Sequence, residues 1–188
     1  MEVIMERPHI LCVLVGPSGA GKTTVANKLF ERFGLTTAVS HTDRAPRYEG
    51  EPGHVFVSPE TMAAYDAANK LVAPTIFDGH HYGYVTDDLV SADIVIVDLP
   101  GAKAIRDVAE IFGKSVYIIG LTVSPGEAID RMRARSDSTE ALCRRLTHDA
   151  HEFRGMEYVC DVCIHNQNLD DTVQLVWQLL RAKENSLN

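Results

Sequence analysis

The first ordered stretch of hydrophobic positions is residues 9–15, apolar from Ile10 onward and ending at Gly16. A short unbroken apolar run of this kind predicts a strand covered on both faces in a parallel sheet. Across residues 22–33 the pattern changes: Val25, Ala26, Leu29, Phe30 and Phe33 recur at helical spacing, and Gly34 follows as a stop. Residues 93–98 and 115–123 read as further buried strands. Each is followed by a Pro-Gly pair, Pro100-Gly101 and Pro125-Gly126, and then by a helix-compatible segment. A strand over 158–164 and a closing helix over 169–183 complete the alternation, which predicts an α/β domain with a mostly parallel sheet and helices on both faces. Residues 40–84 interrupt it. They are rich in Arg, His, Pro and Gly, with short strand-like pieces around one helix beginning near Ser58-Pro59, and they read as an insertion on the sheet.

Composition narrows the class. A chain of 188 residues, 45% of them hydrophobic, suits one packed domain. A formal charge of −8 disfavours a nucleic-acid partner. No apolar run approaches the roughly 20 residues that span a bilayer. Residues 1–8 lack the features of a secretory signal, so a cytoplasmic protein is expected. The cysteines, Cys12, Cys143, Cys160 and Cys163, read as reduced thiols. Cys160 and Cys163, with His165 nearby, have zinc-like spacing, but in a strand residues three apart point to opposite faces, which argues against a shared ion.

The chemistry concentrates at Gly16-Pro17-Ser18-Gly19-Ala20-Gly21-Lys22-Thr23, which fits G-x-x-x-x-G-K-[ST] between a predicted strand and a predicted helix. Glycines let backbone N–H groups converge on phosphate oxygens, and the following helix directs its positive end to the same point. Lys22 is expected to reach the β- and γ-phosphates and Thr23 to place its hydroxyl on Mg²⁺. The predicted ATP-binding set is Gly16, Ser18, Gly19, Ala20, Gly21, Lys22, Thr23 and Thr24. Asp98 ends an apolar strand, where it serves either as a carboxylate acting on Mg²⁺ or as a cap for the Pro100-Gly101 turn. Arg44 and Arg47, with Ser40, His41, Thr42 and Tyr48 nearby, suit a phosphate monoester, the alternative being a solvated loop with surface ion pairs. Arg131, Arg133, Arg135, Arg144 and Arg145 lie in and after a helix predicted to break around 136–138. They form either a positively charged cover over the phosphates or a helical hairpin paired with Asp130, Asp137 and Glu140.

Taken together these segments resemble the guanylate kinase family. Beside the P-loop, residues 39–47 (VSHTDRAPR) resemble its S-x-T-T-R-x-P-R segment, and Gly50-Glu51, Gly53 and Phe56-Val57-Ser58 resemble the G-E…G…F-V-S that follows. Residues 77–83 (FDGHHYG) are similar to its G-N-x-Y-G turn and 97–102 (VDLPGA) to I-D-x-Q-G-A. Residues 137–146 are similar to D-S-E-E-x-I-x-x-R-L, and 160–169 to F-D-Y-V-V-V-N-D-D-L. The order is kept from about residue 9 to 182. The resemblance implies that Ser40, Arg44, Arg47, Tyr82 and Asp98 bind the acceptor, that Arg131, Arg135 and Arg145 belong to a lid over ATP, and that Asn166 lies by the adenine. Several positions depart from the family. His54 stands for a phosphate-binding tyrosine in a loop two residues shorter, with Tyr48 a possible substitute. Ala73 stands for the glutamate that reads guanine, Tyr84 for a serine or threonine, and Ile96 for the first acid of D-x-D. His80 or His81 offers a different hydrogen-bond pattern to a base.

The expected architecture is therefore a three-layer P-loop NTPase-type α/β domain: a core of 9–39 and 85–188, an acceptor-binding insertion at 40–84 and a lid at 131–145. The implied activity is ATP- and Mg²⁺-dependent phosphoryl transfer to a nucleoside monophosphate, GMP or dGMP first, by a monomer or homodimer, with Lys22, Arg44, Arg131, Arg135 and Arg145 catalytic. Two alternatives stand beside it: a kinase for another phosphorylated small molecule, such as a ribose bisphosphate or modified deoxynucleotide, and a non-catalytic binding module of the same fold.

Overall fold

The computed structural model describes residues 9–134 and 139–187. The first elements are β1 (Ile10–Val15) and α1 (Lys22–Phe33), followed by β2 (Ser40–Thr42), β3 (His54–Phe56), α2 (Pro59–Ala67), β4 (Leu71–Phe77) and β5 (His80–Val85). The chain continues through α3 (Thr86–Ser91), β6 (Ile94–Ile96), α4 (Leu99–Asp107) and β7 (Ser115–Thr122). It ends with α5 (Pro125–Ala134), α6 (Thr139–Glu152), β8 (Val162–His165) and α7 (Leu169–Asn185).

Four parallel strands in the order β6-β1-β7-β8 form the core sheet. β1 is central and wholly buried, as its unbroken apolar run requires. Its alternate side chains serve the two faces. Ile10, Cys12 and Leu14 pack with Val25 and Leu29 of α1 and Val173 and Val176 of α7, while Leu11, Val13 and Val15 pack with Leu99, Ala102 and Ile105 of α4. Phe33 and Trp177 tie α1 to α7 with rings stacked at 4.4 Å between centroids.

The insertion is a second sheet, ordered β3-β2-β5-β4, in which β2 and β3 are parallel and β5 runs antiparallel to both β2 and β4. α2 starts where Ser58 and Pro59 predict it, the Ser58 hydroxyl accepting from Thr61 N at 3.2 Å. β4 carries a register shift between Val72 and Thr75, and within it Ala73 adopts φ 51°. This bulge brings Ala73 to the start of α4, 3.3 Å from where a Cβ on Gly101 would stand. Nearby, the Tyr84 hydroxyl donates to the Ile96 carbonyl at 2.6 Å. Ala73 and Tyr84 thus join the insertion to the core.

The last strand differs from its expected span. Met156–Tyr158 forms a 3-10 turn and β8 begins only at Val162. Cys160 donates its N–H to the Met156 carbonyl at 3.0 Å, so the alternation of strand side chains does not extend back to it. Both sulfurs therefore converge on one point: a Cβ on Gly120 would lie 2.9 Å from Cys160 Sγ and 3.0 Å from Cys163 Sγ. The expectation of opposite faces is corrected. Burial, reinforced by Cys163, pushes the Cys160 thiol up to about 12. Among the described residues no three or more His, Cys, Asp or Glu are grouped to hold a metal.

Candidate active site

The loop from β1 to α1 is shaped by its glycines. Gly19 and Gly21 sit at φ 79° and 90°. A Cβ would come within 2.9 Å of the Ala128 backbone at Gly19 and within 2.5 Å of Asn166 Nδ2 at Gly21, so a side chain is excluded on two grounds. Gly21 caps α1 with no side-chain bond, and the first turn holds no acidic residue, which leaves backbone N–H groups for an anion. Thr23 and Thr24 lie exposed in that turn. Lys22 Nζ donates to the carbonyls of Gly16 at 2.5 Å and Pro17 at 3.2 Å.

Two expected ligands brace this loop. Asn166, buried, donates from Nδ2 to the Ala20 carbonyl at 2.8 Å. Arg131 donates to the carbonyls of Gly19 at 3.3 Å and Asn166 at 2.8 Å. α6 reaches the loop from the other side. Asp149 Oδ2 accepts from Ser18 N at 2.7 Å, and Lys22 Nζ lies 5.9 Å from the centroid of the Phe153 ring. Against α5, Leu142 packs with Ala128 and Met132, with Leu146 at the edge of that cluster. Arg145 is exposed on α6, and among the described residues neither it nor Arg131 lines the cavity beside Lys22. Arg135, with the predicted helix break, lies outside the described residues.

That cavity, about 450 Å³, also receives Ser40, Arg44, Arg47, His54 and Tyr82 from the insertion. The two arginines therefore face the same space as Lys22. Glu51 organises them: Arg44 gives it two hydrogen bonds, at 2.9 and 3.2 Å, the Arg47 N–H donates to it at 2.6 Å, and the Arg47 guanidinium stands 3.7 Å away. Arg44 also lies 5.2 Å from the Phe56 ring and hydrogen-bonds Tyr82. The Arg44 bonds, then the Arg47 N–H, hold the Glu51 carboxyl down at about 2. Ser40 Oγ and His54 Nδ1 are hydrogen-bonded at 2.8 Å. Burial, then the Arg44 charge, keeps the His54 ring below its ordinary value, so at neutral pH it is uncharged.

Other expectations are corrected here. Tyr48 is 61% exposed and absent from the cavity wall, whereas His54 lines it. His80 and His81 turn to Asp43, at 3.5 and 2.6 Å, away from the cavity. Asp98 lines the cavity while its Oδ1 caps α4, accepting from Gly101 N at 2.7 Å; the cap reading is therefore met. Sequence reasoning missed Glu51 and Asp149 as site residues. Asp149 had a detectable signal, a carboxylate between Leu142, Leu146 and Phe153 on one helical stripe.

The arrangement is a P-loop and a pair of arginines lining one cavity. The chain matches the family described as Guanylate kinase over residues 8–183. It is 34% identical to a guanylate kinase of Thermosynechococcus vestitus over 183 residues, covering 92% of this chain and 94% of that one. With a guanylate kinase of Nitrobacter winogradskyi it shares 32% identity, covering 95% and 85% of the two chains. A crystal structure of guanylate kinase from Anaplasma phagocytophilum has the same fold, with a TM-score of 0.68 at 24% identity over 95% of this chain and 88% of that one. On its ordered match along nearly the whole sequence, the chain belongs to the guanylate kinase family.

Proposed function

We propose that the protein transfers the γ-phosphoryl group of ATP to the 5′-phosphate of a nucleoside monophosphate, with GMP or dGMP the first acceptor to consider. One observation carries this reading: Lys22 of the loop and Arg44, Arg47 and Tyr82 of the insertion line a single cavity. A donor whose phosphates lie on the N–H groups of the loop would extend its γ-phosphoryl toward an acceptor phosphate held by the two guanidiniums. Such placement supplies the alignment and charge neutralisation on which phosphoryl transfer mainly depends.

Each side chain has a role in that geometry. Lys22 brings its charge to the β/γ side. Arg44, oriented by Glu51, Phe56 and Tyr82, brings its positive charge to the acceptor side of the cavity. His54 and Ser40 offer neutral hydrogen-bonding groups beside it. Asn166 and Arg131 keep the loop carbonyls fixed from behind.

The donor set fits a Mg²⁺ ion held chiefly by phosphates and water. Thr23 offers an exposed hydroxyl at the start of α1, and no cage of three or more His, Cys, Asp or Glu exists among the described residues. When bound, the ion supplies neutralisation of the β- and γ-phosphate charge.

Release of ADP from MgATP in the presence of GMP tests the reading. Lys22→Ala is expected to abolish turnover while leaving the thermal unfolding midpoint within a few degrees of the parent. A folded Lys22→Ala variant with near-normal rates would remove the assignment.

A further inference from the structure

We infer that Cys160 and Cys163 form a redox-modification site, at which a small-molecule disulfide such as oxidised glutathione converts the two thiols into an intramolecular disulfide. Neither side chain lines the cavity at Lys22, so the site is separate from the one described above.

The pairing comes from the way the chain enters β8. Asp161, between the two cysteines, is pinned to β7: its N–H donates to the Ile118 carbonyl at 2.8 Å, and its Oδ2 accepts from Ile118 N at 2.7 Å. Arg106 joins the same carboxylate at 2.8 Å and donates to the Val159 carbonyl at 2.9 Å. The backbone is thus fixed on both sides of Cys160, whose own N–H is held by the Met156 carbonyl. Cys163 follows as the second residue of β8, level with Gly120 of β7. The missing side chain at Gly120 leaves the space that both sulfurs occupy, since a Cβ there would meet the two of them at 2.9 and 3.0 Å. The thiols are hydrogen-bonded to each other across that space. Forming the bond requires the sulfurs to close to about 2.05 Å, a movement of side chains that does not part β8 from β7.

Access sets the order of events. Cys163 is exposed and Cys160 half-buried. The Cys163 thiolate attacks one sulfur of the small disulfide, which forms a mixed disulfide and releases one thiolate. Cys160 then gives up its proton and attacks the Cys163 sulfur, expelling the second thiolate. Two electrons pass from the cysteine sulfurs to the oxidant, and the two cysteine protons end on the released thiols. Burial, then the neighbouring Cys163, holds Cys160 protonated at first, while the Arg106 charge favours its thiolate. Once Cys163 is bound in the mixed disulfide, its charge no longer opposes ionisation of Cys160. Cys143 offers a contrast: it is exposed, but it lines a groove that holds no other cysteine among the described residues.

The test is incubation of the freshly reduced full chain with oxidised glutathione under native conditions, followed by an acid quench and peptide mapping by mass spectrometry. The expected product is a peptide closed between Cys160 and Cys163 and lighter by two hydrogens, together with a glutathione adduct on Cys143 that shows the oxidant reached exposed thiols. A dithiol reductant should reverse both. A lasting adduct on Cys163 in the unmodified protein, or persistence of both cysteines as thiols, would overturn the inference. Cys160→Ser, checked for folding by its unfolding midpoint, is expected to accumulate the glutathione adduct on Cys163, because the resolving thiol is gone. A folded variant with Cys163 left unmodified would refute Cys163 as the point of first attack; if the variant does not fold, the map of the unmodified protein decides.

Discussion

Glu51 shows how much of the clamp depends on a residue that does not itself carry the positive charge. Its side chain is 7% exposed and takes both an Arg44 fork and the Arg47 N–H, so it fixes where the guanidinium points. Charge-assisted hydrogen bonds of this kind are stronger than those between neutral groups. Glu51→Gln is expected to raise the acceptor KM by about tenfold, read from initial rates, with a smaller effect on the KM for ATP. It also changes the acid limb of stability. In the folded chain the carboxyl titrates at about 2, against an ordinary value of 4.5. Between those values the unfolded chain binds more protons, so stability present above pH 4.5 is lost as the pH falls toward 2. The variant should show a flatter unfolding midpoint across that window than the parent. The arginines were legible from their own spacing and chemistry. Glu51 was not assigned a role, because a carboxylate four residues from Arg47 in an irregular loop has no fixed direction until the loop is folded.

At the scale of elements, the contact of α6 with the P-loop carries the clearest consequence. Asp149 in the last turn of α6 and Phe153 just past its end meet Ser18 N and Lys22 respectively. The carboxylate thus sits on an N–H that a phosphate oxygen would also seek. A bound nucleotide must displace it, and it repels the incoming charge. A hydrogen bond to a charged carboxylate has a net worth of about 1.5–3 kcal/mol, so Asp149→Ala should lower the dissociation constant for ATP by about tenfold or more. Titration calorimetry with ATP checks this, and a weaker affinity in the variant would mean that Asp149 assists binding. The regular elements were readable because β1, α1 and α7 repeat their buried positions at fixed periods. Cys160 was misplaced for a physical reason: β-branched and aromatic neighbours favour a strand, but the turn at Met156–Tyr158 delays its start.

Across the whole molecule, the insertion packs against the core sheet through a shared apolar cluster, and one cavity is lined from both. Contacts near that boundary include Tyr84 with Ile96 and Ala73 beside Gly101. The parallel sheet supplies the P-loop, and the smaller sheet supplies Arg44, Arg47 and Tyr82 to the same cavity. This was legible in outline, since the interruption at 40–84 marked an insertion. Its orientation was not, because the β4 bulge and the buried Tyr84 hydroxyl that set it have no periodic signature. The geometry has a consequence for a single ligand carrying both nucleosides. If donor and acceptor phosphates share one cavity, an adenosine and a guanosine joined through five phosphates can engage Lys22 and Arg44 together, and the second contact becomes intramolecular. Such an analogue is expected to compete with both ATP and GMP. At about 100 times its dissociation constant it should stabilise the fold by roughly 2.7 kcal/mol. For a chain of this size that corresponds to a rise in unfolding midpoint of about 5–11 °C. Competition with ATP alone would mean that the clamp faces a separate site, and Arg44→Ala should then leave the affinity of the analogue unchanged.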